Sequence, residues 1–441
     1  MIRITDFNNA KQLLNRDSFW ETVVASPSMR ARIKEIFGKD LSLQDVVDQI
    51  IADVRLHGDQ AIRDYTYRVD DISIDSLEVP RQNIAGAYDV VDEKLISALE
   101  LAAQRIRDFH RSCNPRADFY AIGQGLGQQI SPLEKIGIYV PGGTAAYPSS
   151  VLMTAIPARV AGVGEIVMVS PPSKDGSIAA PTLVAAGIAG VDRVFKAGGA
   201  QAIASLAFGT QSIPRVDKIC GPGNIFVTLA KKMVYGSVAV DGLQGPTELV
   251  VVADNTAKAS FCAADLLAQA EHDPAAVVIC ITTSLKFADQ VTKQIEIQLQ
   301  KLTRCSIAST AMDRGMMVIV NNLDEAAELV NIHAPEHLSL LVADALSLSG
   351  KIRNAGCIFS GENSPEVLGD YVAGPSHVLP TGGSARFASP LGVQDFLKVT
   401  NVVNLNKTAM RALGQAAVTI AKAEGLDAHA KAIDIRLGAQ R

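Results

Sequence analysis

Residues 135–170 read KIGIYVPGGTAAYPSSVLMTAIPARVAGVGEIVMVS, and this stretch decides the predicted fold. Two short runs rich in β-branched residues, 135–140 and 165–170, enclose a glycine-containing turn and an apolar segment with several alanines. Short apolar runs that alternate with helical segments are typical of strand–helix–strand units, in which neighbouring strands are parallel. The stretch therefore predicts an α/β fold built on parallel sheets.

The same alternation continues towards the C-terminus. Further strands are predicted at residues 193–196, 249–253, 276–282, 316–320, 338–342 and 357–359. Residues 130–240 form one such unit, and a second unit extends from residue 247 to about residue 360. We therefore predict two Rossmann-like parallel-sheet domains.

Both ends of the chain are predicted to be helical. Apolar residues recur at three- and four-residue spacing in segments 17–26, 43–53 and 93–109, and the last fifty residues show a helical pattern again. The predicted domains are a helical region at 1–129, α/β domains at 130–246 and 247–389, and a helical tail at 390–441.

The composition excludes several classes of protein. The 441 residues include 41 lysines and arginines against 46 aspartates and glutamates, a formal charge of −5 that argues against a dedicated nucleic-acid binder. The six cysteines are scattered without a C-x-x-C pair, which fits a reducing compartment better than a disulfide scaffold. No signal-peptide core and no apolar run of about 20 residues is present. We expect a soluble, cytoplasmic protein with no nucleic-acid or membrane partner.

The usual nucleotide-binding motifs are absent. Neither G-x-G-x-x-G after a strand nor G-x-x-x-x-G-K-[ST] occurs in the sequence. Glycine-rich joins do follow predicted strands, at Gly198-Gly199 and Gly221-Pro222-Gly223 among others. Because open α/β sheets bind ligands beyond the carboxyl ends of their strands, these joins indicate a ligand site at that edge. Tight turns alone would explain them equally well.

Two histidine-containing segments are candidates for chemistry. Gln269 and His272 lie three residues apart at the end of a predicted helix, so both can reach one ligand or metal ion. Alternatively, His272 only completes the C-terminus of that helix. Glu336 and His337 are adjacent between a helix and a predicted strand, where one can activate water and the other can move a substrate proton. An exposed polar turn is the competing interpretation.

Two later segments add further polar groups. Asp370 and His377 lie in a long segment rich in glycine and proline that resembles a binding loop, and Glu424 and His429 lie near the C-terminus. Ordinary surface loops and helix boundaries also use such residues. One candidate metal-ligand set combines two imidazoles, a carboxylate and an amide oxygen, which suits catalytic Zn²⁺: Gln269, His272, Asp370 and His429. No spacing rule requires these four residues to converge.

Several of these segments together resemble the histidinol dehydrogenase family along essentially the whole chain. The matching stretches are IYVPGGTAAYPSS at 138–150, GGAQA at 198–202, GPGN at 221–224, GPTE at 245–248, QAEH at 269–272, APEHL at 334–338, GDY at 369–371, HVLPT at 377–381 and EGLDAH at 424–429. So many ordered matches are far more specific than any single motif.

The resemblance implies an activity and a set of roles. Members of the family oxidise L-histidinol to L-histidine through L-histidinal in two NAD⁺-dependent steps, the last of histidine biosynthesis. By matching position, Gln269, His272, Asp370 and His429 would bind one Zn²⁺ per subunit, and Glu336 and His337 would be catalytic. The implied substrate contacts are the four zinc ligands together with Thr247, His337, His377 and Glu424. The implied NAD contacts are Tyr139, Gln201 and Asn224.

The resemblance also implies how the chain is assembled. Family members are homodimers with intertwined chains, so the 390–441 tail, with Glu424 and His429, is expected to contribute to the partner's site. Residues 130–246 would be the NAD-binding domain and 247–389 the zinc and substrate domain. The 1–129 region is expected to pack on the second of these units.

Thr247 is the residue that bears on which alcohol is the substrate. Many family members carry serine at this position, and relatives that oxidise other alcohols, such as sulfopropanediol dehydrogenases, tend to carry threonine. The segments around Asp370 and His429 match the histidinol enzymes more closely, which favours L-histidinol. A zinc hydrolase, in which Glu336 activates water without a redox step, is the alternative from another class of enzyme.

Overall fold

The structure is a computed structural model that describes residues 1–16, 25–114, 119–123, 125–142 and 146–438. Its strands are β1 (Ile2–Ile4), β2 (Phe119–Gly123), β3 (Leu126–Pro132), β4 (Lys135–Tyr139), β5 (Glu165–Ser170), β6 (Arg193–Lys196), β7 (Lys218–Cys220), β8 (Ala239–Val240), β9 (Glu248–Ala253), β10 (Val277–Thr282), β11 (Met316–Ile319), β12 (His337–Leu341), β13 (Cys357–Ser360) and β14 (Leu397–Val403). All eight predicted strands are present, with small differences at their ends.

The described helices are numbered in chain order. They are α1 (Phe7–Leu14), α2 (Pro27–Phe37), α3 (Leu43–His57), α4 (Asp59–Asp70), α5 (Arg81–Ala87), α6 (Glu93–Cys113), α7 (Pro148–Ala161), α8 (Ala180–Ala189), α9 (Gly199–Phe208), α10 (Ile225–Val234), α11 (Ala259–Ala270), α12 (Leu285–Leu299), α13 (Cys305–Arg314), α14 (Leu323–His333), α15 (Ala345–Ser349), α16 (Glu366–Tyr371), α17 (Lys407–Ala423) and α18 (Asp427–Gly438). The predicted helix at 17–26 falls almost entirely outside the described residues. Among the described helices, none is both long and apolar enough to cross a membrane.

The two predicted α/β units are confirmed as two parallel sheets with the same internal order. The first sheet runs β6-β5-β4-β7-β8, and the second runs β1-β11-β10-β9-β12-β13. Counted along each unit, both have the order 3-2-1-4-5, which places a switch point between the first and fourth strands. The central strands are buried on both faces, as continuous apolar runs such as Glu248–Ala253 require.

A third sheet was not predicted. Strands β2, β3 and β14 form an antiparallel sheet in which β14 pairs along its whole length with β3. The prediction that the tail is helical throughout is therefore wrong for Leu397–Val403. Its sequence, LKVTNVV, is rich in β-branched residues, but most of its side chains are exposed, so it lacks a clear buried face.

Most of the N-terminal region packs on the first α/β unit, not on the second as predicted. Helix α3 packs against α9 and α10, and helix α6 packs against α7 and α8. In the described part of this region, β1 extends the second sheet beside β11, and α1 contacts α14 of the second unit. Apolar periodicity predicts that a helix has a buried face but does not identify the surface that covers it.

The two C-terminal helices form a separate small unit. Helices α17 and α18 pack against each other around Val418, Ala421 and Ala430. Each makes at most occasional contact with other elements in the described part of the chain. Large apolar side chains such as Leu413, which is 56% exposed, and Ile420, which is 60% exposed, remain open to solvent. In this single chain the tail therefore has an uncovered apolar surface.

The buried histidine on α6 predicts a loss of stability in acid. His110 is 2% exposed, neither ring nitrogen has a hydrogen-bond partner among the described residues, and burial lowers its pKa from 6.5 to about 4. The unfolded chain therefore takes up the proton first, so stability present above pH 6.5 is lost as the pH falls towards 4. We expect this residue to cost about 2 kcal/mol of unfolding free energy between pH 7.5 and pH 5.

Urea unfolding midpoints at these two pH values test this expectation. In His110→Met the midpoint should fall less on acidification than in the wild type, because the variant has no titrating group at this position. Replacement of the exposed His57 by glutamine is the control, and it should leave the pH dependence as in the wild type. An unchanged dependence in His110→Met would contradict the prediction.

Candidate active site

The segment that connects α14 to β12 places an acid and a base side by side. Helix α14 ends at His333 and is followed by Ala334, which has a left-handed backbone conformation with φ of 53°, unusual for a residue other than glycine. Pro335 follows, and the chain then enters the central strand β12 at His337. The strand was predicted to begin at residue 338 with both polar residues before it. Instead His337 is its first residue, so the sheet fixes the backbone of this side chain.

Glu336 is buried, and its two carboxylate oxygens have different surroundings. Oε2 accepts hydrogen bonds from the Thr247 hydroxyl at 2.6 Å and from the Glu248 N–H at 2.9 Å. No hydrogen bond to Oε1 is found among the described residues. Burial raises the pKa of Glu336 to about 7, against the opposing effect of the His337 charge. A carboxylate that is held by one oxygen and has a pKa near neutrality is suited to act as a general base.

His337 lies among three carboxylates. Its Nδ1 is 3.1 Å from the Glu248 backbone oxygen and 3.5 Å from Oε2 of Glu336, and its Nε2 is 3.7 Å from Oδ1 of Asp370. Burial alone would lower the pKa of His337, but the negative charges of Glu336, Asp370 and Glu366 outweigh this effect and raise it. Nε2 is buried without a hydrogen-bond partner among the described residues. These surroundings therefore make the ring strongly basic and favour its protonated form.

Glu366 belongs to the site but was not predicted. It is 1% exposed, and burial raises its pKa to about 8. The Gln269 amide has partners for both ends when its nitrogen donates to Oε1 of Glu366 at 2.7 Å and its oxygen accepts from the Glu248 N–H at 3.2 Å. Glu366 therefore determines the orientation of the Gln269 side-chain amide. Its four-residue spacing from Asp370, on one face of α16, was the sequence signal for it.

Three of the four predicted metal ligands lie in the same region. Gln269 and His272 are at the C-terminal end of α11, which contacts α16, where Asp370 is located. Burial would raise the pKa of Asp370, but nearby histidines, including His272, lower it below its ordinary value. An amide oxygen, an imidazole and a carboxylate without thiolates form a donor set that fits catalytic Zn²⁺ and leaves positions open.

A second group of potential ligands overlaps the first only at Asp370. Within the described residues, His337, Glu366 and Asp370 each bring one ligand atom to within 4.8 Å of the others. His272, by contrast, is exposed to solvent. Asp370 therefore lies between the buried acid–base cluster and the solvent-facing part of the site.

The cluster around Glu336 and His337 lies at the amino edge of the second sheet. Thr247 precedes β9, and His337 begins β12, the first and fourth strands of that unit. The glycine-rich joins follow strands of the first sheet, so the ligand site that they predict concerns the carboxyl edge of that sheet, where Tyr139 ends β4 and Gly221 follows β7.

The three predicted NAD contacts line one cavity of about 530 Å³ at this carboxyl edge: Tyr139, Gln201 and Asn224. The Gly199 N–H donates to the Tyr139 hydroxyl oxygen at 3.3 Å, and Gly199 has φ of 61°, which a residue with a side chain rarely adopts. Helix α9 begins here without a side-chain cap, so its free N–H groups can receive an anion. The cavity therefore offers a cradle for a phosphate-containing cofactor.

One tyrosine of this cavity lies near the helix that carries Asp370. Tyr147 lines the cavity, and it contributes, after burial and nearby carboxylates, to raising the pKa of Tyr371, which directly follows Asp370.

A buried lysine supports the turn beside the cavity. The Lys231 ammonium is 1% exposed and donates to the Gly221 carbonyl at 3.0 Å, to the Asp241 carboxylate at 2.5 Å and to the Gln244 side chain at 2.9 Å. A buried charge requires such complete pairing. Lys231 thus holds the 221–224 turn next to the connection between the two α/β units.

The remaining predicted residues divide into two groups. Thr247 and His377 lie at the catalytic cluster: Thr247 donates to Glu336, and the His377 Nδ1 is 2.9 Å from the Asp370 backbone oxygen. Glu424 and His429 are exposed around the turn between α17 and α18, and no contact with the cluster is found among the described residues of the single chain.

Comparison with known proteins gives concordant similarities. The family model described as histidinol dehydrogenase matches residues 37–437. Histidinol dehydrogenase from Dehalococcoides mccartyi (strain CBDB1) is 54% identical over 396 residues, which cover 89% of this chain and 91% of that protein. The corresponding protein of Geobacillus kaustophilus (strain HTA426) is 47% identical over 420 residues, covering 95% and 98%. The crystal structure of histidinol dehydrogenase from Elizabethkingia anophelis has a TM-score of 0.90 at 35% identity and covers 99% and 98% of the two chains.

Proposed function

Because the chain belongs to the histidinol dehydrogenase family, we propose that it oxidises L-histidinol to L-histidine through L-histidinal with two molecules of NAD⁺. It is accordingly an oxidoreductase of histidine biosynthesis. The single observation that carries the two-step mechanism is the adjacent buried pair Glu336 and His337, of which one has a free carboxylate oxygen and the other a free ring nitrogen. Two oxidation steps at one carbon require both a proton acceptor and a means to activate water.

Zinc and NAD⁺ have separate places in this proposal. Gln269, His272 and Asp370, with His429 of a second subunit, would hold Zn²⁺, which has no accessible redox change and would bind and polarise the substrate. Tyr139, Gln201 and Asn224 would hold NAD⁺, which accepts one hydride in each step. Thr247, His377 and Glu424 would contact the substrate.

His337 serves the alcohol step. Its Nε2 lies 3.7 Å from the Asp370 carboxylate, and the surrounding carboxylates make the ring strongly basic, so that its neutral form would take up a proton readily. We assign to this nitrogen the proton of the substrate hydroxyl, which leaves as the carbon loses a hydride. The Glu248 backbone oxygen fixes the ring by its contact with Nδ1, so Nε2 remains the reacting atom.

Glu336 serves the aldehyde step. Thr247 and the Glu248 N–H hold its Oε2, which leaves Oε1 to take a proton from water as the water oxygen bonds to the aldehyde carbon. The resulting hydrate anion then loses the second hydride and gives the carboxylic acid, which releases its proton to solvent and becomes the carboxylate. Retention of the aldehyde between steps limits the escape of a reactive amino-aldehyde.

The tail completes the site in this proposal. The exposed apolar surface of α17 and α18 supports a homodimer in which each tail reaches the other subunit. Glu424 and His429 would then act on the partner's site, which explains why they contact no part of the cluster in their own chain.

The yield of NADH per molecule of L-histidinol tests the function. We expect about two NADH per substrate, lost after chelation and restored by Zn²⁺. One NADH would indicate a dehydrogenase that releases its aldehyde. The absence of NADH with L-histidinol, together with activity on another alcohol, would shift the assignment to that substrate and to Thr247. A hydrolase would form no NADH with any alcohol.

A further inference from the structure

The cofactor cavity has two chemically different ends. One end is lined by apolar side chains from α2, α3 and the segment after α4, among them Ile33, Phe37, Ile50 and Ile72. The other end is formed by the N-terminus of α9 and by Asn224. A flat apolar slot suits a nucleobase, whereas free N–H groups at a helix N-terminus suit a pyrophosphate. A dinucleotide would therefore place the ribose of its adenosine half between these ends.

Asp70 is the carboxylate that lines this cavity, and it is the last residue of α4. It lies close enough to Tyr139 for its charge to add to the effect of burial, which raises the pKa of the tyrosine to about 12. In the part of the chain that the structure describes, no group donates a hydrogen bond to the Asp70 carboxylate. An acceptor with unused capacity at this position is suited to a ligand with hydroxyl donors.

The nearest cation does not neutralise Asp70 by direct contact. The Arg32 guanidinium donates instead to Oε2 of Glu35 at 2.7 Å and to the Val69 backbone oxygen at 3.1 Å. The bond to Val69 holds Arg32 next to Asp70, and Arg32 itself lines the cavity, but no hydrogen bond from Arg32 to the Asp70 carboxylate is found among the described residues. The Asp70 carboxylate therefore remains a negative acceptor facing the ligand space.

We propose that Asp70 accepts hydrogen bonds from the two ribose hydroxyls of the adenosine half of the cofactor and thereby selects NAD⁺ over a dinucleotide that carries a 2′-phosphate. A carboxylate can accept from both hydroxyls of a ribose, and it repels a phosphate at the same position. This inference rests on the proposed NAD dependence. It adds a specificity-determining residue to a site that the N-terminal region and the first α/β unit build together.

Direct titration of the zinc-loaded enzyme with NADH and with NADPH, followed by cofactor fluorescence, tests the inference. In Asp70→Asn we expect NADH to bind about tenfold more weakly, while NADPH binding does not weaken. The matched control is Asp71→Asn. Asp71 is adjacent, does not line the cavity and has φ of 57°, a conformation that asparagine tolerates. This control should keep the wild-type ratio of the two dissociation constants.

The outcomes separate this inference from the proposed function. If the wild type prefers NADH and Asp70→Asn keeps that preference while thermal melting shows it folded, the role of Asp70 is wrong and the proposed function stands. If the wild type binds neither cofactor, NAD dependence itself fails. Equal weakening of NADH and NADPH binding in Asp70→Asn would also contradict the proposal that the charge of Asp70 selects the cofactor.

Discussion

Replacement of Glu336 by glutamine is expected to slow the oxidation of L-histidinal to L-histidine about a thousandfold, while the oxidation of L-histidinol to L-histidinal falls by about tenfold or less. Glutamine has nearly the same shape, and its amide oxygen can still accept from Thr247 and the Glu248 N–H. The NH₂ group then occupies the position of the free Oε1 and cannot take a proton from water. The fold and substrate site persist, but water activation is lost.

Single-turnover measurements on the two substrates supplied separately distinguish these effects. NADH formation from L-histidinol with one equivalent of NAD⁺ reports the first step, and NADH formation from L-histidinal reports the second. Glu328→Gln, a change at an exposed residue of α14 that pairs with Lys11, is the matched control and should leave both rates unchanged. Equal losses in both steps would rule out water activation as the specific role of Glu336.

The local sequence was sufficient to predict the sheets because buried parallel strands are continuous apolar runs. Residues 249–253 and 276–282 could be recognised by composition alone, and they are the adjacent central strands β9 and β10. Strand β1 was missed because three residues give no period, and it is a strand only because β11 offers a free edge. Information of that kind lies in the partner strand and not in the segment itself.

The site was predictable where its chemistry is local. Gln269 and His272 lie three residues apart at the end of α11, and Glu336 and His337 are neighbours in sequence, so spacing alone indicated both pairs. Glu366 was not predicted because a single glutamate in a predicted loop is usually solvated. Its place in the site depends on the burial that α11 provides. The sequence likewise did not show that the site lies at the amino edge of the second sheet, because similar turns occur at both ends of a parallel strand.

The second prediction with a large expected effect concerns the activity of dimers that combine two different variant chains. A His337→Asn variant and a His429→Ala variant should each have less than about one hundredth of wild-type activity as homodimers. When the two are co-expressed with different tags and the mixed dimer is isolated, about half of the wild-type activity should return. The mixed dimer contains one site in which an intact His337 meets an intact tail from the other chain, and one site in which both are changed.

This expectation follows from the position of the C-terminal helices α17 and α18 in the single chain. His429 is exposed, α17 and α18 pack chiefly on each other, and their apolar side chains lack cover in the single chain. A metal site built from one chain would be one ligand short of the predicted four. Exchange of tails between two chains supplies that ligand and covers the apolar surface at the same time.

A mixed dimer in which each chain carries a change at the Glu336–His337 pair provides the control. A dimer of His337→Asn with Glu336→Gln should not regain the formation of L-histidine, because both changes affect residues that lie together at the start of β12 and neither tail can replace them. Recovery in that control would mean that activity returns by exchange or contamination. A stable mixed dimer of His337→Asn and His429→Ala without activity would instead place His429 outside the partner's site. In that case the fourth zinc ligand would have to come from the chain's own cluster, for which His337 and Glu366 are the nearest candidates beside Asp370.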